Sequence, residues 1–542
     1  MNTTLAQKSK KHARFKNASL PLLAAASALL AGCGGSVDSG EFTAAVDQDR
    51  LNDAFIAATN AGGAGSDTGI VGKENLYWQL NRGGVALATG RADVAVKDLD
   101  DPNGNALGAT KSFLDFDAES AAKGAAFYAG AMLSNDNALP YTGKAFERVM
   151  AVTYAALGLL LRDGLKAAPA FVRIDRWQND IDVRFLKEKV AREDSLAQAR
   201  LAEKDPKKRA ETEREEREEK REVQKMFEND RDIADVFNQK NYLGFGNPYA
   251  YYLCGLVNLW MGNFGDAENY FREVASMEED CEQVRRDYKL AKTGKAEAVA
   301  GRVWVVVENG LAPKLEEFKL SKKKSISVGA GIVPPAAMSL ANLSGLNISA
   351  CLNPIPLTIP YAVTKLKPRP APEDSYFTVG AGGRFYATET VCNMDRAAIT
   401  EYKKTYDGMI AREVFRTTAR VIGQVAIVVG ARIGAEALKK KAGSIPFAGA
   451  LLSGPGVEIA AIAAAQALMD SLAAADTRQW YALPKNIQVV SVKIPADRTI
   501  TIGGKTGRQS VQIPNHARNA FVWFRVPHTV ATAPAPQVVA IE

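Results

Sequence analysis

Histidine and cysteine are scarce in this 542-residue chain, which contains three histidines and five cysteines. Beyond residue 12 the histidines are His516 and His528, and no His-Glu or Cys-x-x-Cys pair has the spacing of a metal site. A Gly-x-Ser-x-Gly nucleophile elbow is also missing. The sequence therefore predicts no catalytic residue, no metal and no cofactor, and we expect a protein that is not an enzyme.

One stretch resembles part of a nucleotide-binding phosphate loop, but the full motif is absent. Residues 503–506 read Gly-Gly-Lys-Thr, but Thr499 stands where such a loop needs its first glycine. No helical pattern follows this stretch, whereas a phosphate loop leads into a helix. We therefore predict a turn between strands at residues 503–506, and the same interpretation applies to the glycines of residues 380–383.

A strong excess of positive charge is also missing once the first residues are set aside. The formal net charge is +7, but residues 1–32 hold five basic side chains and no acidic one. A chain that begins at Cys33 would keep a formal charge of only about two. Because nucleic-acid binding needs a strong basic surface, we expect no nucleic-acid partner.

The first segment has the pattern of an export signal. A basic head precedes the apolar run Leu20–Leu30, which is too short to span a bilayer, and Leu30-Ala31-Gly32-Cys33 closes it. This ending resembles the lipobox of bacterial lipoproteins. The resemblance implies a signal peptide over residues 1–32, cleavage before Cys33, and acyl chains on Cys33 that anchor the protein durably.

Two further expectations follow from the lipobox. Gly34 stands where an aspartate would favour retention at the inner membrane, so the outer membrane, facing the periplasm, is favoured. Residues 33–41 are small and flexible and are interpreted as a lipidated tether. The alternative is an ordinary cleaved signal that leaves Cys33 free.

The clearest folding signal lies between Tyr249 and Ser276. Apolar residues recur at helical spacing on both sides of residues 261–263, which predicts two helices joined by a tight turn. Small residues stand where the helices must approach closely, and aromatic residues where the space between them needs filling. The predicted packing residues are Tyr251, Gly255, Gly262, Phe264, Ala267 and Phe271. This phase resembles a tetratricopeptide repeat unit.

Small residues with related spacing occur twice more upstream. They are Gly83, Gly90 and Ala95 in one set, and Ala156, Gly164 and Ala168 in a weaker one. In the weaker set Pro169 is expected to disturb the second helix. Such units bury their apolar faces only by stacking, so we predict a tetratricopeptide-like helical domain over residues 42–300.

Residues 174–240 interrupt this domain with long and charged side chains of both signs. Their composition and their neighbouring Glu and Lys or Arg residues predict two solvated helices, broken at Asp205-Pro206. A helical spacer is the first interpretation. A partner-binding arm or a coiled coil is the alternative.

Residues 301–530 predict a strand-rich α+β domain, followed by a tail at residues 531–542. Strands are predicted at residues 302–308, 357–365, 487–494, 498–502, 508–513 and 520–525. A helix is predicted from Asp395 to Ile433, and an alanine-rich helix within residues 447–475 is expected to lie buried against it. The alternative, a membrane span at residues 448–468, is disfavoured by Pro455 and Glu458.

Four cysteines remain after Cys33, namely Cys254, Cys281, Cys351 and Cys392. In an oxidising periplasm they allow up to two disulfides, and sequence proximity favours Cys254 with Cys281 and Cys351 with Cys392. The alternative is four buried thiols, because cysteine is also a good small core residue.

Several short signatures resemble an uncharacterised family of bacterial envelope lipoproteins with tetratricopeptide-like repeats. Besides the lipobox and the repeats, they are residues 307–313 (VENGLAP), residues 475–480 (ADTRQW) and Leu483-Pro484. The resemblance implies a role at the cell envelope. Some members are encoded beside lipoproteins that activate penicillin-binding proteins, so the resemblance also implies a link to peptidoglycan synthesis.

These observations favour a scaffold that is anchored in the outer membrane and binds another envelope protein. One alternative is an envelope hydrolase or glycan-modifying enzyme, which requires a deep polar pocket within residues 301–542. Another is an accessory subunit of an export complex, with the alanine-rich helix buried between subunits.

Overall fold

A computed structural model of the chain describes residues 39–63, 76–100, 137, 141–200, 205–328, 333, 335–344, 346–442 and 455–542. The predicted signal peptide, the lipobox with Cys33 and almost all of the tether lie outside the described residues. The described part is a mixed α+β structure, as expected.

The described part of the first half is a succession of helices, most of which pack against the next helix in the sequence. They are α1 (Gly40–Asp47), α2 (Leu51–Ala61), α3 (Leu76–Ala88), α4 (Ala92–Leu99), α5 (Ala145–Asp163), α6 (Ala168–Arg200), α7 (Pro206–Glu228), α8 (Arg231–Asn238), α9 (Pro248–Trp260), α10 (Phe264–Met277), α11 (Glu282–Lys292) and α12 (Ala296–Val299).

The two helices predicted between Tyr249 and Ser276 are α9 and α10. Gly262 forms the turn between them with a φ of +78°, a conformation that favours glycine. A Cβ at Gly255 would lie 2.7 Å from Cε1 of Phe271, so glycine is what lets the Phe271 ring seat against α9. Ala267 and Phe271 are fully buried, and Tyr251 and Phe264 pack against the same core.

The hairpin of α3 and α4 repeats this geometry. Gly90 has a φ of +79°, and a Cβ at Gly83 would lie 2.7 Å from Cγ of Leu99. Leu99 follows Gly83 by the same interval as Phe271 follows Gly255. The shared phase therefore corresponds to a shared contact, although the tetratricopeptide identity of the two hairpins remains a prediction.

The weaker set of small residues, Ala156, Gly164 and Ala168, spans the looser turn between α5 and α6. Gly164 has a φ of +62° at the end of α5, and a short 3-10 turn (Gly164–Ala167) leads into α6. Pro169 does not disturb α6, because it occupies the first turn, where its missing N–H has no helical partner to lose.

The charged segment is helical and breaks where predicted, since α6 ends at Arg200 and α7 starts at Pro206. The Arg200 and Glu216 side chains pair at 2.7 Å, which links the two helices. The segment is less solvated than expected. Four of its side chains are fully buried against the second half of the chain, namely Val223, Phe227, Ile233 and Val236.

The second half contains three sheets and two long helices. Its elements are β1 (Arg302–Asn309), β2 (Lys314–Ile326), α13 (Pro335–Leu343), β3 (Ile355–Lys367), β4 (Thr378–Ala381), β5 (Arg384–Ala387), β6 (Glu389–Asn393), α14 (Met394–Ala442), α15 (Pro455–Leu472), β7 (Asn486–Lys493), β8 (Thr499–Gly503), β9 (Arg508–Gln512), β10 (Asn519–Val526) and β11 (Gln537–Ile541). All six predicted strands are present. The predicted tail at residues 531–542 is wrong, because residues 537–541 form β11, which pairs antiparallel with β10.

The five-stranded sheet has the order β11-β10-β1-β7-β6, with β1 and β10 parallel and the other pairs antiparallel. A four-stranded sheet, β5-β4-β8-β9, packs on one of its faces. The helices of the first half cover the other face, so Trp304, Val306 and Phe521 share one core with them. At residue 300 the chain changes from helices to strands. This position does not separate two hydrophobic cores, because one core contains residues from both sides of it.

A second hydrophobic core surrounds the ribbon formed by β2 and β3. The ribbon packs against α7, α8, α14 and α15. The alanine-rich helix α15 lies along α14 as predicted, but it is only partly buried. Ala465 and Met469 are buried, whereas the side chain of Ile459 is 64% exposed. Among the described helices, α14 is the one long and apolar enough to cross a membrane, and about half of its apolar stretch is buried in the protein.

The four later cysteines are buried free thiols, so the pairs Cys254–Cys281 and Cys351–Cys392 are not formed in the structure. Cys254 lies against the carbonyl of Phe171, and Cys392 lies beside Met394. Burial raises the pKa of the Cys254, Cys281 and Cys392 thiols, because an apolar surrounding disfavours the thiolate.

Replacing Gly255 by leucine tests the contact that defines the hairpin. We expect the free energy of unfolding to fall by about 1–3 kcal/mol, because the added side chain overlaps the Phe271 ring. Urea unfolding would measure the change. The matched control is Gly265→Leu in α10, where a Cβ meets nothing within 4 Å and no loss is expected. Equal stability of Gly255→Leu and wild type would contradict the packing.

Candidate functional site

A cavity of about 260 Å³ lies where the two halves of the chain meet. Its walls come from the start of α5, the inner face of α6, the β2–β3 ribbon, the first half of α14 and residues 474–479. Apolar side chains such as Phe185 and Met409 line it together with charged ones. A concave site with both kinds of side chain is the usual form of a ligand pocket.

The N-terminus of α5 forms one wall, and Glu147 organises it. The Glu147 carboxylate accepts hydrogen bonds from the backbone N–H of Lys144 at 2.7 Å, from that of Trp480 at 2.8 Å and from the Tyr141 hydroxyl. It thereby caps its own helix and fastens the ADTRQW segment to it. Burial raises the pKa of Glu147, although the hydrogen bonds oppose this.

Glu401 reaches the same helix terminus from α14. Its carboxylate accepts a hydrogen bond of 3.3 Å from the backbone N–H of Phe146. Burial raises the pKa of Glu401 to about 7, and the charge of Lys144 and the α5 amide groups only partly offset this. Glu401 is therefore a cavity carboxyl that changes its protonation near neutral pH.

The other charges of the cavity wall are largely balanced within the chain. Arg148 pairs with Glu188 at 2.6 Å, and Arg478 pairs with Asp476 at 2.8 Å. Glu413 accepts from the backbone N–H of Ala362 at 3.0 Å and pairs with Arg420. Because opposite charges are matched in the wall, the cavity has no strong preference for a ligand of one sign.

Behind the cavity, a buried polar cluster joins α5 to the five-stranded sheet. The Tyr154 hydroxyl donates a hydrogen bond to the Glu308 carboxylate on β1. Arg525, opposite Glu308 on β10, donates to the carbonyls of Glu308 and Ala482, each at 3.0 Å. Burial raises the pKa of Glu308, and the positive charge of Arg525 opposes this.

The Gly-Gly-Lys-Thr stretch is the turn between β8 and β9, as predicted. Asp374 fills the place that an anion would take, accepting from the backbone N–H of Thr506 at 2.8 Å and of Val530 at 2.7 Å. These bonds and the Thr506 hydroxyl outweigh burial and lower the pKa of Asp374. The turn thus binds the chain's own carboxylate.

The residues predicted from the sequence are not at the cavity. The packing residues of α9 and α10 are structural, and the four buried cysteines lie apart from it. In the described ranges, no group of three or more His, Cys, Asp or Glu side chains is placed to hold a metal ion. Glu147 and Glu401 were missed because they come from distant segments. Arg478 belongs to the ADTRQW signature at residues 475–480, which was recognised without any indication that it lines a cavity. No local signal pointed to Glu147, because lysine rather than serine or threonine stands three residues before it.

Comparisons with protein-family models, with curated proteins and with solved structures find no match to this chain.

The replacement Glu401→Gln isolates the titration of this carboxyl. The folded state favours protonated Glu401, so the group stabilises the fold at pH 4.5 and loses this contribution as the pH rises to about 7. The glutamine variant, which imitates the protonated acid, should gain about 3 kcal/mol relative to wild type over that interval. Urea unfolding at several pH values measures this. Parallel stability profiles of the two proteins would refute the assignment.

The replacement Tyr154→Phe removes the hydroxyl that donates to Glu308. We expect the free energy of unfolding to fall by about 1–3 kcal/mol, because a buried carboxyl loses a hydrogen-bond donor. Tyr376→Phe, at a side chain that is 86% exposed, is the control and should leave stability unchanged. An unaffected Tyr154→Phe protein would show that the hydrogen bond does not stabilise the junction.

Proposed function

We propose that this chain is a lipoprotein of the outer membrane, facing the periplasm, and that it acts as a scaffold for another envelope protein. The observation that carries the proposal is the repeated contact of the hairpins, Gly83 with Leu99 and Gly255 with Phe271, in a first half where most described neighbouring helices pack against each other. Helical repeats of this kind present extended surfaces to partner proteins. The lipobox at Cys33 supports the location.

The outer face of α6 is the surface best suited to a partner. Val183, Leu186 and Val190 follow one another at intervals of three and four residues and are about half exposed. This spacing forms an apolar stripe along one side of a helix, which we call the α6 stripe. Charged side chains of both signs flank it, among them Lys187 and Asp194. An amphipathic helix of the partner would bury the stripe and pair with its flanks.

The α6 stripe gives a direct test of the scaffold. After mild crosslinking, affinity purification of the intact lipoprotein should recover one stoichiometric partner. Val183→Glu combined with Leu186→Glu should abolish that recovery, since it places charge in the apolar contact. Leu343→Glu in α13, at a side chain that is 87% exposed, should leave it unchanged. Recovery of no partner by wild type would oppose the scaffold, and recovery by the double variant would oppose the α6 stripe.

The lipid anchor has a test of its own. Cells fed labelled palmitate should incorporate the label into the wild-type chain and not into Cys33→Ser. The wild-type chain should fractionate with the outer membrane. A labelled Cys33→Ser protein, or wild type without label, would exclude the anchor.

A role near peptidoglycan synthesis belongs to the same proposal and is supported by the family resemblance alone. An enzymatic role is the second candidate, and one observation favours it: Glu401, whose pKa is about 7, lies at a cavity wall, as a general acid or base would. The cavity draws on both halves of the chain rather than on residues 301–542 alone. Release of soluble fragments from peptidoglycan by wild type, and not by Glu401→Gln, would favour the enzyme over the scaffold.

A further inference from the structure

The four-stranded sheet presents an open face on the side opposite the core. Its inward side chains, among them Val379, Ile500 and Ile502, are buried against the five-stranded sheet. The outward positions are mainly polar, with Thr378, Thr501, Arg508, Ser510 and Gln512 distributed over β4, β8 and β9. We call this outward surface the platform.

The Phe385 ring lies close to Gly380 on the platform, and glycine leaves room for it there. Gly380 on β4 pairs with Phe385 on β5 and with Thr501 on β8. A Cβ at Gly380 would lie 3.1 Å from Cε1 of Phe385 and 2.5 Å from Oγ1 of Thr501. The Phe385 ring therefore rests on the backbone of β4, and its side chain is 64% exposed.

Arg508 occupies the platform in a similar way. It pairs with Gly503 across β9 and β8, and a Cβ at Gly503 would lie 2.9 Å from its Cγ. The Arg508 guanidinium carbon is 5.6 Å from the centre of the Phe385 ring. Two glycines thus make room for an aromatic ring and for a cation that lies over it.

The charge of this sheet is of one sign. Its four strands contain Arg384 and Arg508 and no aspartate or glutamate. Hydroxyl and amide side chains share this face of the sheet with the ring, and the Thr499 hydroxyl already donates to Gln512 at 2.9 Å. A protein interface usually has a more apolar centre than this.

We propose that the platform binds a glycan whose sugars or substituents carry carboxylates. The apolar C–H face of a pyranose ring stacks on an exposed aromatic ring, as on Phe385. Its hydroxyls bond to the threonine, serine and glutamine side chains beside the ring. A carboxylate of the glycan pairs with the Arg508 guanidinium. The envelope location proposed above supplies the candidate source, which is peptidoglycan, but the site is independent of the α6 stripe.

Sedimentation with purified peptidoglycan sacculi tests the platform. The whole mature chain with Cys33→Ser should sediment with sacculi, less at high salt, and only weakly with chitin, a neutral glycan. Phe385→Leu still covers Gly380 but has no aromatic ring, and it should reduce binding at least fivefold. Phe385→Tyr should retain binding, and Arg508→Gln should reduce it and remove most of its salt dependence.

The controls distinguish binding at the platform from non-specific binding and from loss of binding through misfolding. Leu243→Ala and Arg231→Gln change exposed side chains away from the platform and should bind as wild type does. Unfolding midpoints of all variants show whether the sheet is intact. Equal binding by Phe385→Leu, or equal binding to chitin, would overturn the proposal. Partner recovery through the α6 stripe should persist in Phe385→Leu, so failure of one proposal is distinguishable from failure of the other.

Discussion

The five-stranded sheet is buried on both faces, and the rest of the structure follows from that constraint. Its central strands β1 and β10 read as nearly continuous apolar runs, as expected of strands without a solvated face. Trp304 and Phe521 point to the helices, whereas Val305 and Val522 point to the four-stranded sheet. The helices and the four-stranded sheet are both needed, because each of them removes from water a face of the five-stranded sheet that holds large apolar side chains.

Burial on both faces gives the few polar groups inside a specific role. Glu308 and Arg525 are neighbours on β1 and β10, and both turn towards the helices. Their hydrogen bonds to Tyr154 and to the Ala482 carbonyl fix which helix and which loop meet the sheet. Asp287 does the same further along, accepting from Tyr252 and from the Trp304 indole. Apolar contacts tolerate sliding, whereas these bonds define one arrangement.

Much of this fold could be predicted from local signals in the sequence. The hairpin of α9 and α10 and the strands with β-branched side chains were predictable because spacing and turn residues act over short distances. β11 was missed because two prolines precede a short run whose partner, β10, is recognisable only in three dimensions. β2 was missed because its lysines favour solvent, and the Glu219 carboxylate that pairs with Lys322 lies on a distant helix. The cavity is built from several separate segments of the chain, and no local pattern joins Glu147 to Glu401.

The parallel pairing of β1 with β10 has a consequence for the time course of folding. More than two hundred residues separate these neighbours, since Val305 lies beside Val522. The sheet that the helices cover is therefore incomplete until β10 has been synthesised, and contacts of such long range close slowly. Until then the helices of the first half have no complete sheet to pack against, so their apolar faces stay exposed through most of the chain's synthesis.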